Sequence, residues 1–129
     1  MIDRAEALVY HAEMIRRFGG SHGVRDEGIL DASLNRPFAT FDGVDLFPTA
    51  IDKAAAIMHG IITGHPFLDG NKRTGYALAR LILQEHRLDI GASEDERYDF
   101  VIRVATGQLD VDGVRAWLTG RVVPFAGKQ

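Results

Sequence analysis

AAAIMHGII at residues 54–62, with GHPFLDGNKRTG at 64–75 close behind it, is the stretch that decides how this chain folds. Ala54, Ala55, Ile57, Met58, Ile61 and Ile62 are apolar around much of a helix's circumference, and such a helix belongs at the centre of a bundle. Thr49 can cap its start. Gly64 terminates it, and Pro66 keeps the following residues from continuing it. The next helix starts near Asn71 and runs to about His86, burying Tyr76, Leu78, Ala79, Leu81, Ile82 and Leu83. Between the two helices lies the densest set of reactive groups in the chain.

Outward from this pair, the periodicity predicts more helices. Ala5, Leu8, Val9, Ala12 and Ile15 make one apolar face over residues 3–18, Asp3 with Glu6 reads as a capping-box variant, and Gly19-Gly20 ends the helix. Asp26 caps a short helix carrying Ile29, Leu30 and Leu34, which Pro37 stops. On the carboxyl side, Ser93 with Glu96 caps a helix burying Phe100, Val101 and Val104; Gly107 ends it, and residues 110–118 form another. Residues 36–48 differ: Phe38, Thr40 and Phe41 lead into Asp42-Gly43, then Val44, Leu46 and Phe47. An Asp-Gly pair between β-prone runs signals a hairpin. We expect a small hairpin or extended flap with exposed apolar side chains; the alternative is a connector whose aromatics enter the core. The tail after Pro124 is expected to be loose. The fold class is therefore all-α, a compact single domain over residues 1–129 with about six helices and at most one minor hairpin.

Composition narrows the functional classes. A chain of 129 residues suits one domain, and 46% hydrophobic with 26% charged residues is ordinary for a globular protein. A net charge of −3 gives no general attraction to nucleic acid or anionic membrane, and no basic recognition helix is present. There is no cysteine, and no stretch approaches the ~20 apolar residues of a membrane span. No membrane partner, no direct nucleic-acid binding and, by elimination, a cytoplasmic location are the expectations.

The central turn suits phosphate chemistry. The first turn of the helix at Asn71 presents unpaired N–H groups and a positive dipole end. Gly70 permits close approach or a left-handed backbone, and Asn71 either orients the loop or donates a hydrogen bond. Lys72 supplies a point charge and Arg73 a bidentate fork. Asp69 suits a Mg²⁺ ion that keeps most of its waters, and His65 can take a proton from an incoming hydroxyl. Each group has a plainer reading: a capping histidine, a solvated Lys-Arg pair, an ordinary Asp-Gly-Asn turn. Cations at a helix amino end oppose the dipole, however, and make better sense with an anion between them. A P-loop is excluded because Asn71 splits Gly70 from Lys72 and Arg73 follows. His11, His22, His59 and His86 share no ligand spacing and read as structural or surface residues.

The run His65, Phe67, Asp69, Gly70, Asn71, Lys72, Arg73 resembles the core motif of the Fic/Doc family, H-x-F-x-(D/E)-G-N-(G/K)-R, at every fixed position. It is closest to the Doc branch, where lysine replaces the second glycine. The segments 54–62, 104–109 and 114–118 also resemble Doc-type sequence, so the likeness spans nearly the whole chain. The resemblance implies a Fic fold, His65 as the base, Asp69 as the Mg²⁺ holder, and Gly70, Asn71, Lys72 and Arg73 as the cradle of the nucleotide phosphates. It implies that ATP is the donor and that the flap (Arg36, Phe38, Thr40, Phe41, Asp42, Gly43, Val44) aligns a target peptide by strand addition.

Two departures from AMP-transferring relatives point to phosphoryl transfer. Lys72 fills space that a glycine leaves open, and Tyr76 stands where those relatives usually have another arginine. No serine or threonine has glutamate four residues on, so the inhibitory Ser/Thr-x-x-x-Glu motif of many relatives is absent. Restraint would then come from a separate antitoxin with a disordered tail that folds on binding. The implied function is a toxin that moves the γ-phosphate of ATP to a hydroxyl of a translation protein such as elongation factor Tu. The alternatives are an adenylyltransferase and a non-catalytic phosphate-binding module.

Overall fold

A computed structural model describes residues 1–126. Six α-helices form the body: α1 (Arg4–Phe18), α2 (Glu27–Asn35), α3 (Ala50–Gly64), α4 (Asn71–Glu85), α5 (Glu94–Ala105) and α6 (Val111–Thr119). Five of them start as their caps dictate. Asp3, Thr49 and Ser93 complete capping boxes with Glu6, Asp52 and Glu96, while Asp26 and Asp110 accept from the third residue on.

Helix α3 is the axis, as its all-round apolar character demands. Ala54–Met58, Ile61 and Ile62 are buried, and α2, α4, α5 and α6 pack around it. Each such isoleucine or methionine contributes roughly 1.5–3 kcal/mol, so this helix outweighs any surface ion pair at about 0–1 kcal/mol. Helix α4 lies unusually close to it. A Cβ on Gly75 would stand 2.9 Å from Ile62 Cγ1 and 3.4 Å from the Met58 carbonyl, so glycine is required at that crossing.

The expected flap is a hairpin, β1 (Thr40–Phe41) with β2 (Val44–Asp45), whose Asp42 and Gly43 have φ of 54° and 78°. Positive φ at both central residues gives the turn whose twist suits a hairpin. Phe41, Val44 and Leu46 are exposed. Arg36 and Phe38 lie outside the hairpin, in a 3-10 turn (Arg36–Phe38) at its base; Phe38 packs on the core and the Arg36 guanidinium sits 5.5 Å from the Phe47 ring. The flap and the connector readings each hold for part of the segment. Two residue pairs are too few to stand alone. The hairpin is anchored where Lys53 donates to the Phe47 carbonyl and Leu46 N–H to the Ala39 carbonyl.

A second strand pair corrects the expectation of one hairpin at most: β3 (Leu88–Ile90) runs antiparallel to β4 (Val122–Pro124). The Arg80 guanidinium holds Asp89 of β3 through two bonds of 2.9 and 3.0 Å. Phe125 N–H continues the pairing to the Arg87 carbonyl at 2.9 Å, so the chain is held just past Pro124. The rest of the expected loose tail, residues 127–129, lies outside the described residues.

Candidate active site

Helix α4 is the one α-helix among those described whose first residue follows no side-chain cap. Its N-cap is Gly70 in the left-handed region (φ 78°), and its first turn carries no acid. The amino end is therefore left with free N–H groups beside Lys72 and Arg73, both exposed. Asp69, Gly70, Asn71, Lys72 and Arg73 line one side of a cleft of about 190 Å³. The other side comes from the end of α1: Met14, Phe18, Gly19 and Gly20.

Asn71 resolves into the orienting role. Its side chain is buried, with Oδ1 accepting from Phe67 N–H and Nδ2 donating to the Phe67 carbonyl, both at 3.0 Å. That amide closes the loop upon itself, which leaves the Asn71 backbone N–H as its means of meeting an anion. Phe67 is the loop's anchor in the core, 1% exposed and stacked on His11 with ring centroids 3.9 Å apart.

His65 ends α3 in the left-handed region, φ 53° and ψ 55°, where a glycine was expected to serve. The ring is exposed, and Nδ1 lies 3.1 Å from the Thr63 carbonyl. A carbonyl only accepts, so Nδ1–H donates there, and in the neutral tautomer this selects, the lone pair lies on Nε2. His65 is not among the cleft-lining residues; it stands at the opposite end of the same loop from the helix start.

Several residues with no motif signal brace this loop. Arg25 donates to the His65 carbonyl (2.6 Å) and the Gly64 carbonyl (2.9 Å), satisfying the end of α3. Arg25 N–H reaches the Pro66 carbonyl at 2.7 Å, Leu68 N–H the Gly23 carbonyl at 3.1 Å, and Val24 forms a bridge with Phe67. Ser21 N–H donates to Asp69 Oδ2 at 2.8 Å, leaving Oδ1 without a protein partner among the described residues. A Cβ on Gly20 would meet Asp69 Cβ at 3.1 Å, so that glycine admits the loop. None of these pairings could be found by spacing, since each joins residues about 40–50 positions apart.

His11 belongs with them. It is buried, and Nε2–H donates to the Asp69 carbonyl at 2.8 Å. Burial lowers its pKa below the ordinary value, against the opposing pull of the Asp69 carbonyl. The sign follows from linkage. The unfolded chain takes up a proton as pH falls through about 6.5 while the folded ring resists, so this contribution is complete above that pH and is lost below it. The melting temperature should fall less between about pH 7.5 and pH 5.5 in His11→Gln than in the parent. His59 shifts the same way by burial, which is why the comparison, rather than the parent alone, isolates His11. Equal falls in the two proteins would refute the assignment.

For a metal, the fit is specific. No cluster of three or more His, Cys, Asp or Glu side chains that could hold an ion occurs among the described residues. One carboxylate with one free oxygen, beside phosphate-sized space, suits Mg²⁺ that draws its other ligands from water and phosphate. It does not suit a resident, all-protein metal site.

The chain matches the Fic/DOC family over residues 1–83, from the first helix through the loop and most of α4. It is 42% identical over 105 residues to a protein named Toxin Doc from Mycolicibacterium smegmatis, spanning 80% of this chain and 81% of that one. It is 31% identical over 116 residues to a protein named Protein kinase doc from Escherichia phage P1, spanning 88% of each.

Proposed function

Because this chain belongs to the Fic/DOC family, we propose that it is the toxin of a toxin–antitoxin pair and transfers the γ-phosphate of ATP to a hydroxyl side chain of a translation protein. The observation that carries the reading is the uncapped amino end of α4, flanked by Asp69, Lys72 and Arg73, on the same loop as a histidine with a free Nε2. Backbone N–H groups, an ammonium and a guanidinium fork together neutralise phosphoryl oxygens and cost no reorganisation during the reaction.

His65 Nε2 takes the proton of the incoming hydroxyl. The oxygen then bonds to the γ-phosphorus, the bond from that phosphorus to the β–γ bridging oxygen breaks, and ADP leaves. Lys72 and Arg73 hold the charge that grows on the transferring and departing oxygens. Asp69 would hold Mg²⁺, which supplies further charge neutralisation when bound.

Two features favour the γ-phosphate over AMP. Lys72 occupies the space open to a glycine in AMP-transferring relatives, and Tyr76 replaces a further arginine. Tyr76 is 9% exposed, with the Arg97 guanidinium 5.8 Å from its ring, so no cation reaches the cleft from that position. The relative named as a protein kinase agrees with this choice. Elongation factor Tu is the target that the family resemblance suggests, docked by strand addition to the hairpin. A separate antitoxin whose tail folds on binding is the expected restraint. No helix among the described residues is long and apolar enough to cross a membrane.

Labelled ATP decides the reaction. Incubated with Mg²⁺ and elongation factor Tu, the purified chain should move ³²P into protein from γ-labelled and not α-labelled ATP. Label from the α position would establish adenylylation, and label from neither, in elongation factor Tu or in a cell extract, would leave the phosphate-binding module.

A further inference from the structure

Arg73 makes no ion pair among the described residues, although it is the cation that the proposed chemistry needs most accurately aimed. Its guanidinium lies instead 3.8 Å from the centroid of the Phe18 ring, at the last residue of α1. Phe18 is 53% exposed, so its burial adds little to the core and its place needs another explanation. Phe18, Arg73 and Met14 are also shared between the phosphate-sized cleft and a neighbouring one of about 210 Å³, so the stacked pair forms the wall between them.

The stacking mode matters chemically. A guanidinium lying over a ring spends its π face and keeps its five N–H donors, which lie in its own plane. A carboxylate partner would have consumed two of those donors and neutralised the charge. The Phe18 face therefore fixes Arg73 while leaving the fork open for a phosphate, and the backbone after Phe18 is tied to the reactive loop. Gly19 ends the helix, Gly20 packs on Asp69, and Ser21 N–H binds the Asp69 carboxylate. From this geometry we infer that Phe18 is a positioning residue for Arg73, holding its fork over the triphosphate cleft by a cation–π contact. The inference deepens the proposed function and rests on it.

The test is a double-mutant cycle read by ATP affinity (titration calorimetry with Mg²⁺) and by KM and kcat for transfer. Phe18→Leu keeps an apolar side chain and removes the ring face. It should weaken ATP binding and raise KM about two- to fivefold, with a smaller change in kcat and an unchanged melting temperature. Phe18→Trp, with the stronger ring face, should restore the parent values. In an Arg73→Ala background Phe18→Leu should have no further effect, because nothing is left to aim. An equal loss in both backgrounds, or no loss in the parent background, overturns the inference while leaving the proposed function standing. A parent protein that neither binds nor transfers from ATP overturns both.

Discussion

Replacing His65 by alanine should reduce transfer to the protein target by about 10²–10⁴-fold, the usual contribution of a positioned general base. Two features of this position shape the experiment. The ring is exposed, so no cavity is created, and the Nδ1 bond to the Thr63 carbonyl already commits the proton that would otherwise occupy Nε2 for part of the time. The backbone, however, is left-handed at φ 53°. Alanine resists that conformation by about 1–2 kcal/mol, so a loss of activity could arise from a shifted loop rather than a missing base. Asparagine tolerates the left-handed region and offers no comparable base. His65→Asn should therefore be as inactive as His65→Ala and melt closer to the parent. Transfer by His65→Asn within tenfold of the parent would remove His65 from the mechanism.

The largest stability effect should come from Phe67→Ala, at about 3–5 kcal/mol by urea unfolding. Against a usual total of about 5–15 kcal/mol, that is enough to bring a single domain near its unfolding threshold. The magnitude reflects more than lost transfer energy. Phe67 is 1% exposed, it is the ring on which His11 stacks, and its N–H and carbonyl are the two groups that the Asn71 amide holds. Its removal leaves a cavity under the loop and loosens the His11 bond to the Asp69 carbonyl. A cost below about 1.5 kcal/mol would mean that the loop is held chiefly by its hydrogen bonds and that the ring is incidental.

What could be read from the residues was what they encode locally. Caps at Asp3, Asp26, Thr49 and Ser93, the Asp42-Gly43 turn and the all-apolar helix at 54–62 each depend on neighbours within four positions, and each appears in the fold. The reactive run was legible for the same reason, since Asp69 to Arg73 occupy one helix start. Contacts between distant segments were not. Leu88–Ile90 and Val122–Pro124 are three residues each; the first alternates too briefly to signal a strand, and the second does not alternate and ends in proline. Arg25, Ser21, Gly20 and Phe18 look like ordinary loop or surface residues until the fold brings them against residues 64–73. His65 was expected to follow a helix-ending glycine, yet it takes the left-handed cap itself, because Arg25 satisfies the two carbonyls beside it.

The cleft has one wall from Met14 to Gly20 and the other from Asp69 to Arg73. The anion-binding groups stand on the second wall, and the first, from the end of α1, encloses the space in front of them. A fragment carrying residues 64–75 alone would lack the wall that encloses them. During synthesis the cleft stays incomplete until the first helix has closed down on the fourth. Any later excursion of that helix away from the body would open the cleft again, so the lifetime of the closed cleft follows how firmly the amino-terminal helix is seated.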